Sequence, residues 1–215
     1  MAKSSDYIHG SSPEERQRLS LLNEILNESC LGELKPQAGE KILDLGSGLG
    51  QFSRLMARTV GSAGQVVGVE RDKDQLIQAR RLAEAAGESN LVEFREGDVL
   101  DLPLRESEWK TFDTAHARFL LEHVPKPERV IVEMVRAVRP GGRVFVADDD
   151  HGDFRPWPEP AGFQQLWKAY VNSFEIRGND PYVGRRLVAL LHDAGLTSIR
   201  NSCVFFGDVP VTIDF

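Results

Sequence analysis

The stretch Ile42-Leu43-Asp44-Leu45-Gly46-Ser47-Gly48-Leu49-Gly50 decides the fold. An apolar run typical of a buried strand leads directly into three glycines, and a helical pattern starts immediately afterwards at Phe52. Glycine lets the backbone turn sharply and approach a ligand closely, while the first turn of the following helix offers free N–H groups. A strand, a glycine loop and a helix in this order predict a loop that binds a polar ligand.

Apolar and β-branched runs recur along the chain and predict a sheet of six strands. Several of these runs are apolar on both faces, as expected for parallel strands that are buried between two layers of helices. The predicted strands are Lys41–Gly46, Gln65–Glu70, Leu91–Gly97, Phe112–Ala117, Arg143–Asp148 and Ser198–Phe206.

Amphipathic patterns with a period of about 3.6 residues separate these runs and predict helices. Alternation of strands and helices predicts an α/β fold with a Rossmann-like, doubly wound and mostly parallel sheet in three αβα layers. Ligands of such sheets bind beyond the carboxyl ends of the strands. The helical stripes are Phe52–Val60, Leu76–Ala86, Val130–Val138 and Leu187–Ala194.

Two segments are additional to the alternating pattern. Within residues 1–30, Ser12-Pro13-Glu14-Glu15 is a capping box that predicts a helix through about Asn27. Residues 149–179 add a proline-rich stretch followed by the apolar helical stripe Phe163–Phe174. Both segments attach near the expected ligand site, and we predict that they form a lid over it.

The composition is that of an ordinary globular protein, with 41% apolar and 27% charged residues. A chain of 215 residues suits a single core, so we expect one domain over residues 1–215. The formal net charge of −7 argues against a nucleic-acid partner. No apolar run approaches the roughly 20 residues that cross a bilayer, and the first residues lack the apolar core of a secretory signal. We therefore expect a cytoplasmic protein without membrane insertion, and the sequence indicates no particular oligomeric state.

Acidic side chains stand at the ends of the two strands that follow the glycine loop. Glu70 ends the second predicted strand, where a carboxylate can accept both hydroxyl hydrogens of a ribose. Asp98 follows the third strand and offers an acceptor for the amino group of an adenine. Together with the glycine loop, these carboxylates predict a ligand that contains a nucleoside.

With these motifs the chain resembles the class I S-adenosylmethionine-dependent methyltransferases. The resemblance covers residues 40–148 closely and is strongest for the small-molecule branch that includes the quinone-biosynthesis methyltransferases. The set of motifs is specific, whereas no single member is. The matching motifs are Asp44–Gly50, Glu70, Gly97–Val99, Phe112–Val124 and Glu133–Gly142.

The resemblance implies S-adenosylmethionine as cofactor, S-adenosylhomocysteine as product and a small molecule as methyl acceptor. The glycine loop would lie under the methionine and ribose parts, Glu70 would bind the ribose, and Asp98 would bind the adenine. Arg118 would lie near the methionine carboxylate. The implied cofactor-binding residues are Asp44, Gly46, Ser47, Gly48, Gly50, Glu70, Arg71, Gln75, Asp98, Val99 and Arg118.

Methyl transfer is an in-line displacement in which the protein mainly aligns the reacting groups. A general base is needed only when the acceptor holds its proton tightly near neutral pH. His116 and His123 are the candidate bases, and we expect no metal. The candidate residues for acceptor binding are Tyr7, Asp149, Asp150, Trp157 and Trp167.

The sequence is also compatible with two other functions. A nicotinamide-dependent oxidoreductase would share the sheet and the glycine loop, although Gln51 stands where that fingerprint has glycine or alanine. A non-catalytic protein could keep the cofactor-binding fold as a scaffold. The antiparallel seventh strand of the methyltransferases would have to come from Val209–Ile213, where Pro210 disfavours a strand.

Overall fold

The computed structural model describes residues 26–203. Within this range the centre of the fold is a sheet of five parallel strands. The strands are β1 Lys41–Leu45, β2 Gln65–Glu70, β3 Val92–Glu96, β4 Phe112–Arg118 and β5 Val138–Ala147. Their order across the sheet is β3-β2-β1-β4-β5.

Helices cover both faces of this sheet. One apolar core lies under α1 and α2 and includes Cys30 and Leu34 from the helical residues 26–34. The other core lies under α3 and α5 on the opposite face. The predicted three-layer, doubly wound fold is thereby confirmed. The helices are α1 Gln51–Val60, α2 Lys73–Ala85, α3 Pro127–Ala137, α4 Phe163–Glu175 and α5 Leu187–Asp193.

None of the helices within residues 26–203 combines the length and the apolar character that a membrane span requires.

β1 is the middle strand of the sheet, with β2 and β3 on one side of it and β4 and β5 on the other. Its Asp44 pairs with Gly68 of β2 on one side and with His116 of β4 on the other. The helices that follow β1 and β4, α1 and α3, pack on opposite faces of the sheet, so a crevice opens between these neighbouring strands. The carboxyl ends of β1, β2 and β4 border this crevice, which makes it the expected ligand site.

Two predicted strands differ from the structure. β5 begins at Val138 rather than at Arg143, and the register with β4 is irregular between Phe112 and Thr114. The Pro-Gly-Gly turn is therefore present as a bulge inside a longer strand. The predicted strand Ser198–Phe206 is wrong in its described part, 198–203, because these residues pair with no described strand, and Ser198 at their start has a left-handed φ of 56°. The rest of that segment and Val209–Ile213 lie outside the described residues.

A buried ion pair ties the edge strand β3 to the loop that follows it. Arg95 donates to both carboxylate oxygens of Glu108 at 2.8 Å, and the backbone N–H of Arg105 donates to Glu108 at 2.7 Å. The bidentate hydrogen bonds from Arg95 lower the pKa of Glu108 to about 2. Glu108 therefore stabilises the fold in its ionised form.

We expect Glu108→Gln to lower the free energy of unfolding by about 2 kcal/mol, because Arg95 loses a charged acceptor and keeps only its pair with the more exposed Glu93. Because folding depresses the pKa of Glu108, the stabilisation is complete above pH 4.5 and is lost as the pH falls towards about 2. Urea denaturation at neutral pH measures the loss. The control is Glu133→Gln, which removes an exposed pair with Arg136 on α3. Equal stability of the two variants would contradict the prediction.

Candidate functional site

A cleft with a volume of about 650 Å³ opens at the carboxyl ends of the central strands. It is the place that the strand order predicts for a ligand. Apart from Gly50, every implied cofactor-binding residue lines it, and so do both candidate bases. The residues concerned are Asp44, Gly46, Ser47, Gly48, Glu70, Arg71, Gln75, Asp98, Val99, His116, Arg118 and His123.

The glycine loop is fastened to the end of β2. The N–H groups of Gly46 and Ser47 both donate to the carbonyl of Val69, at 2.9 and 3.0 Å. Gly50 lies at the start of α1 and outside the cleft lining, and it serves packing instead. A Cβ atom there would lie 2.3 Å from the ring of Phe94, so only glycine lets α1 start this close to β3.

The Glu70 carboxylate is held in place by the backbone on both sides of it. Gly48 donates its N–H to Oε2 at 3.0 Å, and Asp72 donates its N–H to Oε1 at 2.9 Å. Each oxygen keeps a second lone pair, so two ribose hydroxyls can still donate to this carboxylate. Burial raises the pKa of Glu70, and the two backbone hydrogen bonds partly oppose that rise.

Asp98 follows β3 at the same edge of the sheet. Its Oδ1 accepts a hydrogen bond from the N–H of Leu100 at 2.8 Å, which fixes the carboxylate beside the buried Val99. A carboxylate held through one oxygen can accept from an adenine amino group with the other. The arrangement suits the adenine end of a nucleoside.

Asp44 and His116 form a buried pair in the wall of the cleft. His116 Nδ1 lies 2.7 Å from Asp44 Oδ1, and the Ser53 hydroxyl donates to Asp44 Oδ2 at 2.5 Å. Because Nδ1 faces a carboxylate, it carries a hydrogen. His116 Nε2 and the Ser47 hydroxyl are buried and have no hydrogen-bond partner within residues 26–203. Buried polar atoms are nearly always satisfied, so these two atoms are ones that a bound ligand would satisfy.

Arg118 connects the cleft to the helical residues 26–34. Its Nη2 donates to Asn27 Oδ1 at 2.8 Å, and its guanidinium lies 4.6 Å from the centre of the Phe52 ring. Part of the segment predicted as an N-terminal cover thus reaches the cleft. Tyr7 and the remainder of that segment lie outside the described residues.

Asp148 is not among the predicted site residues, although it holds the backbone of Leu120, which lines the cleft. Its carboxylate accepts hydrogen bonds from the N–H groups of Leu120, Leu121 and Glu122 at 3.2, 2.9 and 3.3 Å. Burial and then the charge of Glu122 raise the pKa of Asp148 well above its ordinary value. The carboxylate fixes the 3₁₀ turn Leu121–His123, which carries the candidate base His123. The signal in the sequence is the acidic run that directly follows the fifth strand.

The four described candidates for acceptor binding do not line the cleft. Asp150 pairs with Arg185 instead, at 2.5 Å, and Trp157 is 94% exposed. Trp167 donates its indole N–H to the carbonyl of His151 at 2.8 Å. Asp149 lies near Glu122 and His151. Aromatic spacing alone does not distinguish a helix that faces a ligand from one that packs behind the wall.

Glu122 and His151 are further residues that sequence reasoning missed. Their ligand atoms and that of Asp149 lie within 4.8 Å of one another, so the three can hold a metal ion. His151 Nε2 and Glu122 Oε2, however, already form a hydrogen bond of 2.7 Å. Those two atoms are therefore not available to a metal ion while this hydrogen bond is formed.

Comparisons with known proteins agree with this geometry. Residues 36–175 match the model of a family described as a methyltransferase domain. A ubiquinone/menaquinone biosynthesis C-methyltransferase from Roseobacter denitrificans is 30% identical over 156 residues, which are 72% of this chain and 57% of that relative. The chain spans about half the length of the curated relatives that it matches.

Solved structures show the same fold. An S-adenosylmethionine-dependent methyltransferase from Aquifex aeolicus superposes with a TM-score of 0.66 at 19% identity, covering 88% of this chain and 91% of that one. The [4+2]-cyclase SpnF superposes with a TM-score of 0.59 at 24% identity, covering 79% and 56%. The fold therefore occurs in proteins that are named for different reactions.

The contact between Gly50 and Phe94 can be tested with a matched pair of variants. Gly162 adopts a left-handed conformation at the start of α4, as Gly50 does at the start of α1, but a Cβ atom there would meet nothing within 4 Å. We expect Gly162→Ala to cost about 1 kcal/mol of backbone strain, and Gly50→Ala to cost about 2 kcal/mol more through overpacking. Urea denaturation compares the two, and equal losses would show that the Phe94 contact is unimportant.

Proposed function

The chain belongs to the methyltransferase-domain family, and we propose that it transfers a methyl group from S-adenosylmethionine to a small-molecule acceptor. The observation that carries the proposal is the fixed Glu70 carboxylate beside the glycine loop, because two acceptor oxygens at that point match the hydroxyl pair of a ribose. The net charge of −7 favours a small acceptor over a nucleic acid and is compatible with a cytoplasmic protein.

The residues present fit this cofactor. Glu70 would bind the ribose hydroxyls and Asp98 the adenine amino group. The unsatisfied Ser47 hydroxyl and His116 Nε2 supply further polar contacts in the wall, and Arg118 supplies a positive charge for a carboxylate. In the tautomer that Asp44 imposes, a neutral His116 offers Nε2 as an acceptor, which suits an ammonium group.

When bound, S-adenosylmethionine supplies an electrophilic methyl group and leaves as S-adenosylhomocysteine. The protein's part is to align the acceptor with that methyl group and to exclude water from the cleft. We propose that the N-terminal segment, whose residues 26–34 reach Arg118 through Asn27, covers the cleft. The segment 149–179, whose Trp157 and Asp150 do not line the cleft, would support its wall through α4 instead of covering it.

We expect Glu70→Ala to weaken S-adenosylhomocysteine binding by about tenfold or more, since two hydrogen bonds to a charged acceptor are lost. Isothermal titration calorimetry gives the dissociation constant. The matched control is Glu96→Gln at the end of β3, which removes only an exposed pair with Lys73. Unchanged affinity in Glu70→Ala, at an unchanged melting temperature, would remove Glu70 from the site.

Lowering the pH should weaken S-adenosylhomocysteine binding, because it protonates Glu70. Because burial raises the pKa of Glu70 above 4.5, protonation begins at a higher pH than for an exposed glutamate. A protonated carboxyl loses its charge and one acceptor oxygen, so affinity is constant at high pH and falls as the pH drops through this pKa. Titrations from about pH 8 down to about pH 4, which pass below the ordinary glutamate pKa, should show the fall in the parent protein but not in Glu70→Gln. If the affinity of both proteins fell in the same way with pH, an ionisable group other than Glu70 would cause the fall.

Transfer itself is tested with S-adenosylmethionine that carries a radiolabelled methyl group, over a panel of hydroxyl, carbon-acid, amine and thiol acceptors. The panel includes 1,4-naphthohydroquinone, because the relative from Roseobacter denitrificans is named for quinone biosynthesis. Label in at least one acceptor supports the proposal. Tight binding of S-adenosylhomocysteine without any transfer would favour a role other than methylation, because a protein named as a cyclase has the same fold. Preference for NAD over S-adenosylhomocysteine would favour an oxidoreductase.

A further inference from the structure

Phe119 directly follows β4 and has a backbone conformation that aromatic residues rarely adopt. Its φ of 52° lies in the left-handed region, where the Cβ atom crowds the backbone. Within residues 26–203, the other non-glycine residues with a positive φ are Lys35, Lys110 and Ser198, and none of these lines the cleft, whereas Phe119 does. Strained backbone of this kind is concentrated at functional sites, so the conformation points to a function for Phe119.

The end of β5 holds Phe119 in this conformation. The N–H of Phe119 donates to the carbonyl of Ala147 at 2.9 Å, and the three N–H groups that follow it in the chain donate to Asp148. Leu120 packs closely on the glycine loop, where a Cβ atom at Gly46 would lie 3.0 Å from its Cδ1. The neighbouring strand and the glycine loop therefore fix the strained turn before a ligand binds.

The side chain of Phe119 is not used for core packing. It is half-buried, and neither of the two apolar cores within residues 26–203 includes it. Its ring centre lies 5.7 Å from the Arg118 guanidinium, which is closer to the Phe52 ring, at 4.6 Å. Phe52 is thus the nearer aromatic neighbour of this cation. A large ring that lines the cleft and belongs to neither core is available to a ligand.

The covalent connectivity of S-adenosylmethionine indicates which part of it would lie near Phe119. The sulfur joins the ribose to the methionine chain, which ends in the carboxylate. Glu70, proposed for the ribose, ends β2, and Arg118, proposed for the carboxylate, ends β4, with β1 between them. The sulfur therefore belongs between these two residues, at the mouth of β1 and β4, where Phe119 follows Arg118.

We propose that the ring face of Phe119 binds the positively charged sulfonium of S-adenosylmethionine and raises its affinity relative to that of S-adenosylhomocysteine. The inference rests on the proposed function and adds to it the residue that distinguishes cofactor from product. A cation is attracted by the negative charge of an aromatic face. When the methyl group is transferred, the electron pair of the broken bond stays on sulfur, which becomes neutral, so the attraction is lost.

The test compares the dissociation constants of the two ligands by isothermal titration calorimetry without an acceptor. Phe119→Leu keeps an apolar side chain and removes the ring. S-adenosylmethionine binding should weaken by about fivefold to tenfold, and S-adenosylhomocysteine binding by less than about twofold. Pentafluorophenylalanine at position 119 keeps the ring shape but withdraws the negative charge from its faces, so it should give the same selective loss. Phe119→Tyr keeps an aromatic face and should bind both ligands as the parent does.

Phe52→Leu is the matched control, because Phe52 also lines the cleft and lies closer to Arg118 but packs in the core under α1 and α2. A ring that only supports the Arg118 guanidinium would change both affinities by the same factor, since both ligands carry the carboxylate. Selective loss in the two Phe119 variants without it in the control supports the inference. Equal losses for the two ligands, no loss, or the same selectivity change in Phe52→Leu would overturn it.

The strained backbone is tested separately through stability. Phe119→Gly and Phe119→Ala both remove the ring, but only glycine relieves the left-handed strain, so Phe119→Gly should unfold at the higher urea concentration. At the exposed Lys168 in the middle of α4, the same pair of substitutions should give the reverse order. If alanine were the more stable residue at both positions, the turn would not fix the ring and the inference would be overturned.

Binding by the parent protein separates this inference from the proposed function. A parent protein that binds neither ligand would contradict the proposed function and this inference with it. A parent protein that binds both, with an affinity ratio that Phe119→Leu and the fluorinated ring leave unchanged, would remove Phe119 as the sulfonium-binding residue and leave the proposed function intact.

Discussion

The site depends on the hydrogen bond from the backbone N–H of Gly48 to the Glu70 carboxylate. This bond joins the glycine loop after β1 to the end of the neighbouring strand β2, and the bonds from Gly46 and Ser47 to the carbonyl of Val69 reinforce it. Glu70 thereby loses the freedom of a strand-end side chain and becomes a fixed acceptor before any ligand arrives. The cost of burying its charge appears as a raised pKa, and the backbone donors offset part of that cost.

The sequence predicted the parts of the fold that local chemistry determines. Apolar runs identified all five strands of the described sheet, and the glycines after β1, with the carboxylates after β2 and β3, identified the nucleoside side of the cleft. These features are recognisable because each is set by its own few residues: a left-handed φ at Gly46 and Gly48, or an acidic group at the end of a strand. The strand order then brings them together without any further information.

The acceptor side could not be predicted in the same way. Glu122 and His151 are 29 positions apart and meet only because β4 and β5 are neighbours in the sheet. Trp167 has the pattern of a ligand-facing aromatic, but it packs against His151 behind the wall. Asp150 has the position of a substrate contact, and Arg185, far along the chain, takes its charge. In each case a tertiary partner determines the role, and a single sequence does not display such partners.

Backbone amide hydrogen exchange, with and without S-adenosylhomocysteine, tests most directly whether this cleft is the cofactor site. Slower exchange on binding is expected in two separated segments, residues 46–51 of the glycine loop and residues 98–100 after β3, because one extended ligand would contact both. NAD at the same concentration should give no such protection. Protection of neither segment by S-adenosylhomocysteine, or equal protection by NAD, would show that this cleft is not the S-adenosylmethionine site.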